Sequence, residues 1–166
     1  YRQTIAANAS HDALITQAEN IPAGSHGVHF FPQMRVGTPP LNEAYARGAF
    51  FGLSPDSEPA QMYRALLEGL AYDANNAVSS LTEITGMTAV DRILAIGGDS
   101  RNRLLMQIKA AVHQQPITII EVSEAVSLGA ALLGGLASGV YDNIEQALAG
   151  LELSQRIIEP DTALVE

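Results

Sequence analysis

The 166-residue chain contains no cysteine and has few basic residues. The absence of cysteine excludes disulfides, thiolate zinc sites and a cysteine nucleophile. Nine lysine and arginine residues stand against 18 aspartate and glutamate residues, which gives a formal net charge of −9. Because binding to a nucleic-acid backbone needs clustered basic side chains, we expect no nucleic-acid partner.

The chain also lacks a hydrophobic run long enough to cross a bilayer. Its longest apolar stretch, residues 126–140, is interrupted by Ser127 and Ser138 and is shorter than the ~20 residues that a membrane-spanning helix needs. No signal peptide is visible, and we predict a cytoplasmic protein without a membrane partner. Since the first residue is Tyr1 rather than methionine, we expect an excised domain or part of a longer polypeptide.

The composition fits a single domain over residues 1–166. Apolar residues make up 47% of the chain and charged residues 16%, which is typical of a folded domain and not of a disordered polyelectrolyte. A domain of this size buries about two-thirds of the surface that its unfolded chain exposes, so it can form a core.

The first third of the chain predicts one short helix and one strand. Ser10 suits the N-cap of a helix that runs through Glu19. Residues 28–31 predict a strand, residues 33–41 contain glycine and prolines and predict a loop, and the state of residues 47–53 stays open. The inward-facing residues expected for the helix are Ala13, Leu14 and Ala18.

The clearest helical pattern follows Ser57, a suitable N-cap. Pro59 fits the first turn, where its missing N–H costs nothing, and Gly86 fits the left-handed position that ends a helix. Between them, apolar residues recur at intervals of three and four, which indicates one buried stripe. The stripe consists of Tyr63, Leu66, Leu67, Leu70, Ala74, Ala77, Val78, Leu81 and Ile84.

The second half of the chain alternates strands and helices. Residues 92–96 and 117–120 predict buried strands, and residues 100–113, 124–138 and 144–151 predict helices. This order favours an α/β fold with parallel pairing and right-handed crossovers. The helix after the first strand is expected to bury Leu104, Leu105, Ile108, Ala111 and Val112.

The strongest candidate site is the turn between the first of these strands and its helix. Gly97 and Gly98 let a flat ligand approach the backbone, the helix start offers unpaired N–H groups, and Asn102 can present an amide to a ring nitrogen or a hydroxyl. Parallel sheets collect ligands at this end of their strands. The alternative is an ordinary strand-to-helix turn with Asp99 or Ser100 as the N-cap.

A second candidate is the run of small residues at 124–131, but tight helix packing against the sheet explains it as well. We interpret Glu124 as a helix N-terminal acid rather than a catalyst.

The phosphate-loop, H-E-x-x-H and G-x-S-x-G motifs are absent. Arg35 and Arg47 are interpreted as solvated or paired side chains rather than phosphate ligands. The histidines, interpreted as structural, are His11, His26, His29 and His113.

Taken together, these motifs resemble the FGGY family of carbohydrate kinases. The resemblance covers about residues 24 to 160 in collinear order, and the ordered set is more specific than any single motif. Its centre, residues 96–107, resembles the adenosine motif of the family. The other matching segments are residues 30–32, the loop with Arg35, Pro39 and Pro40, and residues 47–53, 67–72, 115–117, 124, 128–131 and 139–141.

The resemblance implies an α/β fold of the ribonuclease H-like, actin-like ATPase type, incomplete at its N-terminal strands. It implies the ATP-binding lobe of a kinase that transfers the γ-phosphoryl group to a sugar or polyol hydroxyl, with ATP and Mg²⁺ as cofactors. An acidic chain can still bind ATP, because backbone amides and Mg²⁺ offset the phosphate charge. The sugar would bind mainly to an N-terminal lobe that this chain lacks.

The resemblance also assigns the nucleotide site. Gly98 and Asn102 would contact the adenosine, Gly97 would permit its close approach, Asp99 would flank the pocket, and Met106 would line its edge. The position of Asp99 is often small and uncharged in the family. A carboxylate there could cap the helix or weaken nucleotide binding by repulsion.

No catalytic residue is assigned in this chain. The resemblance places the catalytic aspartate and a glycine-rich phosphate loop in a segment that precedes Tyr1. Asp12, Asp56 and Asp73 are therefore not assigned that role. We expect the chain alone to be inactive as a kinase, since phosphoryl transfer depends on positioning both substrates.

Two alternatives remain open from the sequence. One is a non-catalytic association module of the same fold, for example within a homodimer, because missing strands would leave sheet edges or apolar faces to cover. The other is a different branch of the actin-like ATPases. The matches at Gly52-Leu53 and Glu68-Gly69 favour the sugar kinase branch instead.

Overall fold

The computed structural model of the chain describes residues 5–6, 9–34, 45–122 and 124–165. The loop predicted after Gln33 falls largely on residues 35–44, outside the described residues, and so does Arg35, whose interpretation stays a prediction.

Helices and strands alternate along most of the chain. The helices are α1 (His11–Glu19), α2 (Pro59–Thr85), α3 (Arg103–His113), α4 (Ala125–Ala137) and α5 (Ile144–Ala149). The strands are β1 (His29–Phe31), β2 (Ala49–Phe51), β3 (Ile93–Ala95), β4 (Ile117–Ile120) and β5 (Gln155–Ile158). Short 3-10 turns cover Ser25–Gly27, Gly98–Arg101 and Thr162–Leu164.

The described strands form two sheets. β1 and β2 pair as an antiparallel ribbon, in which Phe30 lies opposite Phe50 with ring centroids 4.7 Å apart. β3 and β4 pair in parallel, with Ile93 opposite Ile117, which confirms the predicted parallel pairing. β5 then adds antiparallel to the other edge of β4. The sequence prediction missed β5, and it left open the segment that forms β2.

The core lies between α2, α3 and one face of the three-stranded sheet, with α1 packed on α2. α3 buries its inward face as predicted, except that Val112 is half-buried while Met106 and Ala110 are buried. The buried core residues are Leu14, Ala18, Tyr63, Leu67, Ala71, Leu104, Leu105, Met106, Ile108, Ala110, Ile117 and Ile119.

The long helix α2 begins one residue later than its predicted cap implies. Glu58, not Ser57, is the N-cap, and its backbone N–H donates to the Gln61 side chain at 2.9 Å. Ser57 instead accepts a hydrogen bond from the Ser54 N–H through its hydroxyl. Pro59 is the first helical residue and so lies in the first turn, as predicted. The prediction of Ser57 was wrong because the preceding turn already uses its hydroxyl.

The C-terminal half of α2 departs from the predicted buried stripe. The helix ends as expected at Gly86, whose φ of 69° is left-handed. However, Leu81 is 61% exposed and Ile84 is 76% exposed. Ala13, predicted to face inward in α1, is also exposed, while Leu14 and Ala18 are buried. The spacing puts Leu81 and Ile84 on the predicted stripe of α2, but this end of the stripe is not covered by the described residues.

A buried ion pair fixes the N-terminal half of α2. Arg64 is 1% exposed and donates through Nε to Glu68 Oε1 at 2.7 Å. Glu68 also accepts from the Gly24 N–H at 3.2 Å and the Ser25 hydroxyl at 2.9 Å, within a turn of left-handed residues. Arg64 Nη2 donates to the Leu164 carbonyl at 3.0 Å. The pair therefore ties α2 to the turn before β1 and to the C-terminal segment.

The next residue of α2, Gly69, allows a close backbone crossing. A Cβ at this position would collide with the carbonyl oxygen of Phe30 in β1. The structure thus explains why the sequence has Glu68 and Gly69 at these positions. Glu68 holds the turn before β1, and Gly69 lets β1 lie against α2.

The second face of the three-stranded sheet is largely bare among the described residues. Leu94 is 50% exposed and Ile96 is 54% exposed, so the prediction that β3 is a buried strand was wrong on this face. α4 does not pack tightly on the sheet as its small residues suggested. Added Cβ atoms at Gly129 and Gly134 would meet open space, and Val126 is exposed, although Leu132 is buried.

Candidate functional site

The turn that follows β3 has the shape that the sequence suggested. Gly97 adopts φ 95° and ψ −164°, a conformation that a residue with a Cβ rarely adopts. Residues Gly98–Arg101 then form a 3-10 turn. The Ser100 hydroxyl donates to the Gly97 carbonyl at 2.7 Å and holds this turn closed. Gly98 needs no special backbone conformation, and a Cβ there would meet nothing within 4 Å.

Asn102 ends the turn and starts α3. Its Oδ1 accepts a hydrogen bond from the Leu105 N–H at 3.1 Å, so Asn102 is the N-cap of the helix. The alternative in which Asp99 or Ser100 caps α3 was wrong, because the 3-10 turn moves the helix start beyond both residues. The Nδ2 of Asn102 lies 3.4 Å from the Tyr63 hydroxyl oxygen on α2.

This turn forms one wall of a cavity of about 520 Å³. Of the predicted site residues, Gly98, Asp99 and Asn102 line it together. The opposite walls come from the start of α1 and the first half of α2, which lie far away in the sequence. Its lining residues are His11, Asp12, Leu14, Ile15, Tyr63, Leu66, Leu67, Leu70, Gly98, Asp99, Arg101, Asn102 and Leu105.

The chemistry of the cavity suits a flat, partly apolar ligand. Leucine and isoleucine side chains of α1 and α2 supply an apolar surface, and the turn supplies backbone and amide groups. The missing Cβ of Gly98 leaves space beside that polar wall. Asp12 and Asp99 carry negative charge and Arg101 positive charge at the rim, so the cavity has no strong excess of either sign.

Gly97, the remaining predicted site residue, does not line this cavity. It lines a neighbouring cavity of about 300 Å³ at the carboxyl ends of β3 and β4. Arg101 borders both cavities, and Arg156 pairs there with Glu121 at 3.5 Å. Met106 lines neither cavity, since it is 2% exposed within the core, so its expected place at the pocket edge was wrong.

Sequence reasoning missed the walls from α1 and α2. On the α2 wall, Tyr63 is the polar residue beside three leucines, and it sits in a helical stripe that we interpreted only as core. Burial raises the pKa of the Tyr63 phenol, although its hydrogen bond with Asn102 lowers the pKa in part. The signal available in the sequence was a hydroxyl-bearing residue at the head of an otherwise aliphatic stripe.

Arg47, Asp73 and Glu124, which were also considered in the sequence, do not line the cavity, whereas His11 and Asp12 do. Arg47 is exposed and donates to the carbonyl of Ala46 at 2.8 Å. Glu124 is the exposed N-cap of α4. Asp73 accepts a hydrogen bond from the Gln33 side chain at 2.8 Å.

Within the described ranges, no group of three or more histidine and acidic side chains could hold a metal ion. No helix in the same ranges is long and apolar enough to cross a membrane.

Comparison with known proteins decides the family. A sequence profile of the FGGY family of carbohydrate kinases, C-terminal domain, matches residues 2–138. The chain belongs to the FGGY family. The glycerol kinase of Citrifermentans bemidjiense is 34% identical to this FGGY domain over 143 residues, which are 86% of the chain.

Solved FGGY kinases have the same fold. The ligand-bound xylulose kinase of Lactobacillus acidophilus superposes on 96% of the chain with a TM-score of 0.78 and 26% identity. The glycerol kinase of Plasmodium falciparum, solved with ADP, covers 91% of the chain with a TM-score of 0.73 and 27% identity. The predicted ribonuclease H-like, actin-like ATPase fold is therefore confirmed.

The matched region is a minor part of each relative. The chain spans 28% of the length of the Citrifermentans kinase, 32% of the Lactobacillus kinase and 30% of the Plasmodium kinase. The family assignment therefore concerns a C-terminal domain, and the division of residues 1–166 into one domain stays a prediction.

Proposed function

We propose that this FGGY domain is the ATP-binding lobe of a carbohydrate kinase, and that the cavity of about 520 Å³ receives the adenosine. The observation that supports this most is that Gly98, Asp99 and Asn102 line a single cavity opposite an apolar wall. A purine has two flat apolar faces and a polar edge, which match the aliphatic wall and the amide-bearing turn. The similarity to a glycerol kinase solved with ADP supports the same ligand class.

Each predicted residue has a separate role in this proposal. The open position at Gly98 lets the base approach the turn, and the Asn102 amide hydrogen-bonds to the base or to a ribose hydroxyl. Asp99 lies at the rim, where its carboxylate repels phosphates and favours a pose with the phosphates directed away. Gly97 acts indirectly, since the turn begins at its backbone conformation with positive φ.

The reaction proposed for the whole protein is transfer of the γ-phosphoryl group of ATP to a sugar or polyol hydroxyl. Mg²⁺ would be held by the phosphates, water and one or two carboxylates, which is the usual arrangement for this ion. The base and the phosphate loop would come from a segment that precedes Tyr1. The chain alone should therefore bind ATP weakly and show no kinase turnover.

Substitution of Gly98 by alanine tests the site cleanly. The added methyl meets no protein atom within 4 Å, so the variant should fold normally. It would, however, occupy the space beside the turn, and we expect the affinity for ATP to fall by about tenfold or more. The measurement is isothermal titration calorimetry with ATP and Mg²⁺ at millimolar nucleotide.

Gly134→Ala is the matched control. Its added methyl also meets open space, but Gly134 lies in α4 and does not line the cavity. Equal ATP affinity in both variants and the unsubstituted chain would contradict the assignment of the cavity. Absence of binding at millimolar ATP in the unsubstituted chain would contradict it as well.

A second candidate function, association, is favoured by the bare sheet face. Among the described strands, β3 pairs on one side only, and Leu94, Ile96 and Ile157 are each at least half exposed. Such an edge and face suit pairing with another copy of the chain. Light scattering coupled to size exclusion would detect a homodimer, and a strict monomer at all concentrations would argue against this role. A cytoplasmic location stays a prediction.

A further inference from the structure

The amide of Asn102 is held at two points by the protein itself. Its Oδ1 accepts from the Leu105 N–H at 3.1 Å, and its Nδ2 lies 3.4 Å from the Tyr63 hydroxyl oxygen. Since a backbone N–H can only donate, the atom that faces Leu105 must be the amide oxygen. The nitrogen therefore has to lie on the side of Tyr63, and the orientation of the amide follows from the contacts.

Tyr63 is well placed to hold this orientation. It is 6% exposed, and it lies on the rigid first half of α2, next to the buried Arg64. Its hydroxyl meets Asn102 across the boundary between α2 and the start of α3, where both residues line the cavity. Burial raises the pKa of its phenol, so the hydroxyl stays protonated at neutral pH.

We propose that Tyr63 is a positioning residue, which together with the Leu105 N–H holds the Asn102 amide so that Nδ2 offers a hydrogen-bond donor to the ligand. The inference rests on the proposed nucleotide site. An amide nitrogen carries two hydrogens, of which one is directed at Tyr63 and the other is assigned to an acceptor of the ligand. The site consequently selects ligands that accept a hydrogen bond here, such as the unprotonated ring nitrogens of a purine.

The test is a double-mutant cycle read as affinity for ATP. We expect Tyr63→Phe to weaken ATP binding by about three- to tenfold, as for the loss of one weak hydrogen bond. If Tyr63 acts through Asn102, the same substitution should have no further effect in the Asn102→Ala background. Tyr72→Phe, on the same helix but outside the cavity, is the control and should leave the affinity unchanged.

The outcomes separate the two proposals. If Gly98→Ala and Asn102→Ala both leave ATP binding intact, the nucleotide site itself is wrong. If Asn102→Ala weakens binding but Tyr63→Phe does not, only the positioning role is overturned. The role is also overturned if the two effects simply add, because Tyr63 would then act independently of Asn102.

A second measurement needs no ligand. In ¹⁵N-labelled chain, the side-chain amide signals of Asn102 can be identified by their loss in Asn102→Asp, which keeps an oxygen to cap α3. Tyr63→Phe should shift these signals, whereas Tyr72→Phe should not. Unshifted signals in Tyr63→Phe would overturn the contact even if the unsubstituted chain failed to bind ATP.

Discussion

The buried pair of Arg64 and Glu68 leads to the strongest stability prediction. Glu68→Gln keeps the size of the side chain and one acceptor oxygen, but it removes the charge that balances the buried guanidinium. Breaking a buried pair by removing one partner costs about 3–5 kcal/mol. Because the glutamine can still accept from Gly24 or Ser25, we expect the lower end, about 3 kcal/mol. For a chain of this length, that loss corresponds to a Tm lower by about 6–12 °C.

The assay is urea and thermal unfolding followed by circular dichroism. Glu83→Gln is the control, because Glu83 is an exposed glutamate on the same helix and should change stability by less than about 0.5 kcal/mol. In the double variant Arg64→Met/Glu68→Gln, no charge is left buried, and part of the lost stability should return. If Glu68→Gln unfolds like Glu83→Gln, the buried pair does not tie α2 to its neighbours as described.

Three further predictions concern the crossing, a histidine and the helix cap. Gly69→Ala should cost about 1–3 kcal/mol, because its methyl meets the Phe30 carbonyl, whereas Gly129→Ala in open space should be neutral or stabilising; denaturant midpoints compare them. Burial lowers the pKa of His113 below its ordinary 6.5, so the unfolded state binds more protons just below that pH. Stability should therefore fall as the pH drops from 6.5 through the lowered value, and His113→Gln should show a flatter pH profile of unfolding. Asn102→Ala should cost about 1 kcal/mol through loss of the α3 cap, while Asn102→Asp should not, as Tm values would show.

Local sequence patterns predicted the helices and strands whose apolar residues are spaced to match the neighbours that cover them. α3 and β4 were placed correctly because their apolar spacing and β-branched run agree with what packs on them. The stop at Gly86 followed from the need for a left-handed residue. The exposed Leu81 and Ile84 show the limit of such patterns, since spacing says which residues share a face but not what covers that face.

The turn that lines the cavity was predicted in part for the same physical reason, while its role as a nucleotide site stays a prediction. The turn at Gly98 and Asn102 is local, and its glycines and amide are visible as a pattern. The N-cap of α3 could not be predicted from the pattern, because Asp99, Ser100 and Asn102 are all suitable cap residues. The 3-10 turn at Gly98–Arg101 places the helix start at Asn102. Tyr63 could not be found from spacing alone, since its contact with Asn102 is a product of how α2 and α3 pack.

The cavity wall supplied by α1 has a consequence for how a ligand and the fold affect each other. α1 is a short helix that buries Leu14 and Ala18 and rests mainly on α2, so it is the least anchored of the three walls. A ligand that fills the cavity touches α1 and the turn at once, and it can do so only while α1 is docked. By linkage, the free energy that docking of α1 adds to ligand binding equals the free energy by which the bound ligand stabilises the docked α1. Hydrogen exchange of the α1 amides should report this as a lower population of the open state.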